Sequence, residues 1–165
     1  METFTLFYMN CFSQWERRKF TVDGVEYNCC EQYMMASKAR LFDDKEAERR
    51  IMRKTHPSDQ KALGRLVRNF DEGKWNAVAR DFVYEANYAK FTQHEDFKQK
   101  LLATAGTTLV EASKTDLIWG IGFDESDPLA CDRSNWRGKN WLGEVLTKVR
   151  DDIIAGVKSD TFDWK

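Results

Sequence analysis

Glu31-Gln32-Tyr33-Met34-Met35-Ala36-Ser37-Lys38-Ala39 follows a segment of strand character, and its reading decides where the chain turns from sheet to helix. Read as a helix, it sets Glu31 and Lys38 seven residues apart, roughly 10 Å along the axis and ~20° around it. Both then face the same way. Long helical side chains lean toward the N-terminus, so the Lys38 amine can fall toward Glu31 over Met34 or Met35. The pair is a candidate acid/base or nucleophile couple. A plainer reading competes: Asn28, three residues before Glu31, fits the N-cap of a capping box, in which Glu31 only closes a helix start.

Upstream, Phe4, Leu6 and Tyr8 alternate, and Phe20, Val22, Val25 and Tyr27 flank Asp23-Gly24, a two-residue hairpin signal. A small antiparallel sheet is expected there. Downstream the periodicity is helical. Asp44 to about Lys54 is charged on most sides, and Pro57 suits the first turn of a helix whose core stripe would be Ala62, Leu63, Leu66, Val67 and Phe70. Trp75, Val78, Ala79, Phe82, Val83 and Ala86 mark the clearest amphipathic helix, and their aromatics read as packing. A short helix around Phe97, Leu101 and Leu102 follows. Thr107 to Ala112 and Leu117 to Ile121 read as extended segments joined by the polar turn Ser113-Lys114-Thr115-Asp116, and a last helix from about Asn140 buries Leu142, Val145, Leu146, Val149 and Ile153. The fold class expected is α+β: a single compact, mainly helical domain over residues 1–155 with a small antiparallel sheet, and a loose tail over 156–165.

With 165 residues, 42% of them hydrophobic, the chain can bury one sizeable core. Its 26 basic and 27 acidic residues leave a net charge of -1, so no global field draws it to nucleic acid or membranes, and any phosphate recognition must be local. No apolar run of membrane-spanning length and no secretory signal pattern occurs, so a soluble, cytoplasmic protein without a membrane partner is expected. Cys11, Cys29, Cys30 and Cys131 show no Cys-x-x-Cys spacing, and His56 and His94 are the only histidines; neither a metal site nor a disulfide scaffold is expected. Of Cys29 and Cys30, one is expected buried and the other at least half-exposed.

Three further clusters can carry chemistry. Glu111 and Asp116 bracket a polar turn and could be held at a pocket edge. Trp119-Gly120-Ile121-Gly122 pairs a flat ring with two residues that let backbone approach a ligand, or mark a bend; it lacks the three-glycine spacing of a dinucleotide fingerprint. Lys61 and Arg65 share a helix face around Gly64, which costs roughly 1 kcal/mol relative to Ala in a helix and so implies close packing there. With Lys38 or Arg68 nearby, such donors suit a phosphate or diphosphate. Between Gly122 and Lys139 lies the longest aperiodic stretch, with Trp136 placed to close over a ligand.

Phe12-Ser13-Gln14-Trp15, Glu31-Gln32-Tyr33 with Lys38-Ala39, Lys61-Ala62-Leu63-Gly64-Arg65, Ala89-Lys90-Phe91, Leu101-Leu102-Ala103-Thr104, Leu109-Val110-Glu111-Ala112-Ser113, Trp119-Gly120-Ile121-Gly122 and Asn140-Trp141-Leu142-Gly143 occur in this order. The set, from about Phe12 to Arg150, resembles the NADAR (YbiA-like) family. The resemblance implies hydrolysis of N-glycosidic bonds of ribosylated amines, without metal or organic cofactor. The implied substrates are ADP-ribose on guanine, in nucleotide or DNA, or aminopyrimidine ribose phosphates of riboflavin synthesis. Two positions depart from the family pattern: Gln14 stands where Asn is common, and Cys30 where an aliphatic residue is.

Cleaving a ribosyl C1′–N bond passes through an oxocarbenium-like state, which needs negative charge near the sugar, a proton for the departing amine and an attacking group. The expected roles are Glu31 for charge and protons, with Glu111 or Asp116 as second carboxylate. Lys38 is either a phosphate or sugar contact or a Schiff-base nucleophile, which must be neutral to attack. Lys61 and Arg65 would hold phosphate, Trp119, Gly120, Gly122 and Trp136 would line the base or ribose pocket, and Gln14 and Asn140 complete the expected substrate contacts. The rival classes are a non-catalytic ADP-ribose or nucleotide-binding module and a structural interaction protein.

Overall fold

The computed structural model describes residues 1–165. It is mainly helical, with six α-helices and two small sheets, an α+β class. The chain divides into two compact units, one of residues 14–93 and one of residues 1–13 with 94–165.

In the unit of residues 14–93, β2 (Phe20–Val22) and β3 (Val25–Tyr27) form the antiparallel hairpin expected around Asp23-Gly24. Both turn residues have positive φ, 51° and 79°, as the mirror-image turns that match strand twist require. α1 (Cys30–Leu41) follows and is buried along nearly its whole length, because α2 (Lys45–Arg53), α3 (Pro57–Gly64) and α4 (Glu72–Gln93) all pack against it. The charged α2 starts where expected, its N-cap Asp44 accepting from the Ala47 N–H. Pro57 is at the start of α3.

α3 ends at Gly64, earlier than the apolar spacing suggests. Leu63 and Val67 are buried, whereas Ala62, Leu66 and Phe70 are exposed, so the five do not form one stripe. Gly64 is set by close approach: a Cβ there would run into Met35 Sδ and Cγ on α1. In α4 the inward face carries Trp75, Ala79, Val83 and Ala86, as read from periodicity. Its last residue, Gln93, holds β2 by its side-chain amide, accepting from the Thr21 N–H at 2.9 Å and donating to Thr21 O at 2.7 Å.

In the other unit, β1 (Phe4–Phe7) pairs in parallel with β4 (Thr108–Glu111), Phe4 opposite Thr108 and Phe7 opposite Glu111. β1 therefore belongs to no antiparallel sheet, a correction to the expected single sheet. α5 (Glu95–Leu102) buries Phe97 and Leu101, and α6 (Trp141–Ala155) packs Leu142, Val145, Leu146 and Val149 against β4. Leu117 to Ile121 is not a strand. Its carbonyls serve the start of α6, Ile118 O accepting from Trp141 N–H at 3.1 Å and Trp119 O from Leu142 N–H at 3.2 Å, which satisfies donors a helix start leaves over. Residues 156–165 form neither helix nor strand; Ser159 Oγ donates to Asp152 at 2.8 Å and Phe162 stacks on Trp164.

Candidate active site

Glu31 is the second residue of α1 and only 3% exposed. Capping does not explain that burial. The N-cap is Cys29, without a side-chain cap bond; Gln32 Oε1 reaches back to accept the Asn28 N–H at 2.8 Å. The Asn28 side chain turns elsewhere, donating to Lys54 O at 3.0 Å and accepting from Gln60 Nε2 at 2.9 Å. The capping box between Asn28 and Glu31 is thus absent, and Gln32 performs the reach-back. The Glu31 N–H donates to Gln14 O at 3.0 Å, which sets these two residues side by side.

Lys38 is half-buried two turns along the same helix. Burial holds its pKa below the ordinary lysine value; the Glu31 charge pulls it upward and the Arg65 charge pushes it further down. Each helps decide whether the amine is neutral, the state a nucleophile needs. Its Nζ lies 4.4 Å from the centre of the Phe70 ring and 5.9 Å from that of Trp75. Phe70 follows Asn69, whose φ of 61° turns the chain after α3, and it rests edge-on against Phe42 at 5.5 Å. Sequence reading assigned Phe70 and Trp75 to packing only; their place at Lys38 depends on an α1–α4 contact that spacing cannot reveal.

Arg65 is the exposed C-cap of α3, and Lys61, one turn earlier, has its Nζ 6.0 Å from the half-buried Trp15 ring. Trp15 also meets His56 edge-on at 6.2 Å. Arg68 is tied to Asp44, to which its backbone N–H donates at 2.9 Å and its guanidinium at 3.2 Å. Against Cys30, the residue before Glu31, lie two polar side chains that sequence reading missed: Asn87 and Lys90 on α4, both 0% exposed. Cys29 and Cys30 are both fully buried, correcting the expected exposed or half-buried second thiol. Cys29 Sγ donates to Gln60 Oε1 at 3.1 Å, and burial pushes its thiol up to about 12. Burial also raises Cys30, against the pull of Lys90.

The other expected residues lie in the unit of residues 1–13 and 94–165, and most have work within it. Asn140, 2% exposed and left-handed at φ 55°, clamps β4: its Nδ2 donates to Leu109 O at 3.0 Å and its Oδ1 accepts the Glu111 N–H at 3.0 Å. Glu111 itself is partly buried at the end of β4. One oxygen of Asp116 accepts the Ile118 and Trp119 N–H groups at 2.9 and 2.8 Å, the bonding of an Asx-type turn. Trp119 meets Trp141 edge-on at 5.5 Å. A Cβ on Gly120 would come within 2.9 Å of Asp116 O, and Gly122 has φ 81°, so chain packing accounts for both glycines. Trp136 donates from Nε1 to Ala130 O at 2.8 Å and packs on Phe4, anchored in a cluster with Val110, Ile121 and Phe123.

The model of one family, described as the NADAR domain, matches residues 6–154. The chain belongs to the NADAR domain family. Among its relatives, N-glycosidase R617 of Acanthamoeba polyphaga mimivirus is 42% identical over 149 residues, 87% of this chain and 88% of that protein. Protein irg-1 of Caenorhabditis elegans is 44% identical over 131 residues, 78% of this chain but 62% of its own length. The NMR structure of the Escherichia coli protein YbiA matches with a TM-score of 0.76 at 29% identity, covering 94% of this chain and 88% of that one. Several NADAR relatives carry the name N-glycosidase, so an enzyme is the frame in which this site is to be understood. No helix is long and apolar enough to cross a membrane.

Proposed function

We propose that this NADAR protein is an N-glycosidase that cleaves the C1′–N bond between a phosphorylated ribose and an amine-bearing base, with ADP-ribosylated guanine, as nucleotide or in DNA, as its first substrate. The observation that carries the reading is the half-buried Lys38 amine set against the Phe70 and Trp75 rings, two turns along α1 from the buried Glu31. A lysine whose charged form is disfavoured by burial, beside a carboxylate, suits nucleophilic or acid/base work on an anomeric carbon.

In this reading Glu31, as its carboxylate, stabilises the positive sugar. The neutral Lys38 amine attacks C1′ as the C1′–N bond breaks, and the proton that the newly bonded lysine nitrogen sheds passes through Glu31 to the departing amine. The lysine–sugar adduct opens to an imine, and water then adds to release the sugar and restore the amine. Lys61 and Arg65 receive phosphate. Trp15 near Lys61 offers an aromatic face beside a cation, which a substrate with a second base, such as ADP-ribose, can use.

Turnover on ADP-ribosylated guanine mononucleotide, on the same modification in DNA and on a ribosylaminopyrimidine phosphate tests the substrate directly. Release of free ADP-ribose and unmodified guanine supports the first substrate; cleavage of the pyrimidine alone reassigns the enzyme to that metabolite. Ligand retained without cleavage makes it a binding module. Borohydride added during turnover should leave a covalent adduct on Lys38, and its absence would favour direct attack by water.

A further inference from the structure

The hydrogen bonds around Asn87 fix the orientation of two side-chain amides. Nδ2 of Asn87 donates to Val83 O, one turn back in α4, at 2.9 Å. Only the amino end of the amide can do so, which leaves Oδ1 toward Cys30, whose Sγ lies 3.6 Å away as donor. Burial keeps that thiol protonated, so it has a hydrogen to give. The second hydrogen of Asn87 Nδ2 goes to Gln14 Oε1 at 2.8 Å.

Gln14 is thereby oriented as well. Its oxygen is taken by Asn87, so Nε2 is the end it presents. The side chain is 8% exposed, and Nε2 has no hydrogen-bond partner. A buried donor left unmade costs about 1–3 kcal/mol, and folded proteins leave few of them. The residue itself neighbours Glu31, whose N–H is bonded to the Gln14 backbone carbonyl.

We propose that Asn87 is a positioning residue that sets Gln14 to donate from Nε2 to an oxygen of the bound substrate, so that the site selects a ligand presenting a lone pair there, a ribose hydroxyl or a phosphate oxygen. This rests on the ribosyl-amine reading of the site. It also gives the longer side chain at position 14 a job: Gln spans from Asn87 to the ligand, with one amide end committed to each.

The test is binding of ADP-ribose and of inorganic pyrophosphate to the full chain by calorimetry. It is combined with side-chain amide NMR of Gln14. Gln14→Glu keeps the shape and the bond from Asn87 but turns the ligand-facing end into an acceptor; Gln14→Met removes the donor without adding charge. Both are expected to weaken ADP-ribose at least tenfold. Loss of pyrophosphate binding as well assigns the oxygen to phosphate, whereas loss of ADP-ribose alone assigns it to a sugar hydroxyl.

In the wild type the Gln14 amide proton resonances should move when ADP-ribose is added. In Asn87→Asp the new carboxylate accepts from Gln14 Nε2, so those resonances should be displaced without ligand and affinity should fall, an effect that mere loosening of α4 would not produce. Wild-type affinity in Gln14→Met, silent Gln14 resonances at saturation, or no binding by the wild type would overturn the assignment. A wild type that binds through Gln14 but never cleaves would overturn the hydrolase reading and leave this assignment standing.

Discussion

Lys38 Nζ lies 4.4 Å from the centre of the Phe70 ring, so the amine at the heart of the site is held against an aromatic face. Its lowered pKa has a consequence for pH. Between that lowered value and the ordinary 10.5, the unfolded chain holds a proton on Lys38 that the folded protein has released, so stability rises with pH across this window. The raised Cys29 and Cys30 thiols act the other way in both proteins, so the test is the difference: in denaturation at stepped alkaline pH, the stability of wild type relative to Lys38→Met should rise across this window.

Arg65→Ala should act in two ways. Removing a cation that depresses Lys38 moves the rising limb of the pH–rate profile, on which the amine becomes neutral, to higher pH, and removing a phosphate donor raises KM. A shift to lower pH would contradict the coupling.

Gly64→Ala sets two effects against each other. Alanine gains roughly 1 kcal/mol of helix propensity over glycine. Its Cβ would run into Met35, itself only 7% exposed, and overpacking costs typically about 1–3 kcal/mol. The clash is expected to win, leaving a net loss of about 1 kcal/mol in urea denaturation, and Met35→Ala in the same chain should remove the clash and reveal the helix gain.

Much of this arrangement is legible in the sequence because it is local. Glu31 and Lys38 share a helix face by period alone, Asp23-Gly24 announces its hairpin, and the spacing from Trp75 to Ala86 gives the inward face of α4. What stayed hidden depends on contacts distant in sequence. Phe4–Phe7 finds its parallel partner in Thr108–Glu111, a pairing without a local signal. Leu117 to Ile121 has the apolar character of a strand, yet its carbonyls are claimed by the first N–H groups of α6. Asn87 and Lys90 look like the polar side of a helix until α1 covers them. Asn140, expected to touch substrate, ties β4 to the start of α6.

That tie predicts the cost of Asn140→Ala. Two hydrogen bonds, one buried and one partly buried, lose their side-chain partner, each worth roughly 1–3 kcal/mol when the remaining group is left unsatisfied. A loss of about 2–4 kcal/mol in urea denaturation is expected, and a variant as stable as wild type would show that the clamp is not needed.

Thiol labelling follows from burial. Cys131 is exposed and should react first, while Cys29 and Cys30, fully buried and with raised pKa, should label only on unfolding. Mass spectrometry after brief iodoacetamide treatment of the native protein checks this.

The carboxylate at position 31 carries the account, and Glu31→Gln tests it most directly because it keeps the buried shape and removes the charge. Assayed beside wild type on ADP-ribosylated guanine and on ribosylaminopyrimidine phosphate, this variant should lose on the order of 10²–10⁴-fold in kcat while melting at the same temperature. A Glu31→Gln protein that turns over either substrate at the wild-type rate would contradict it.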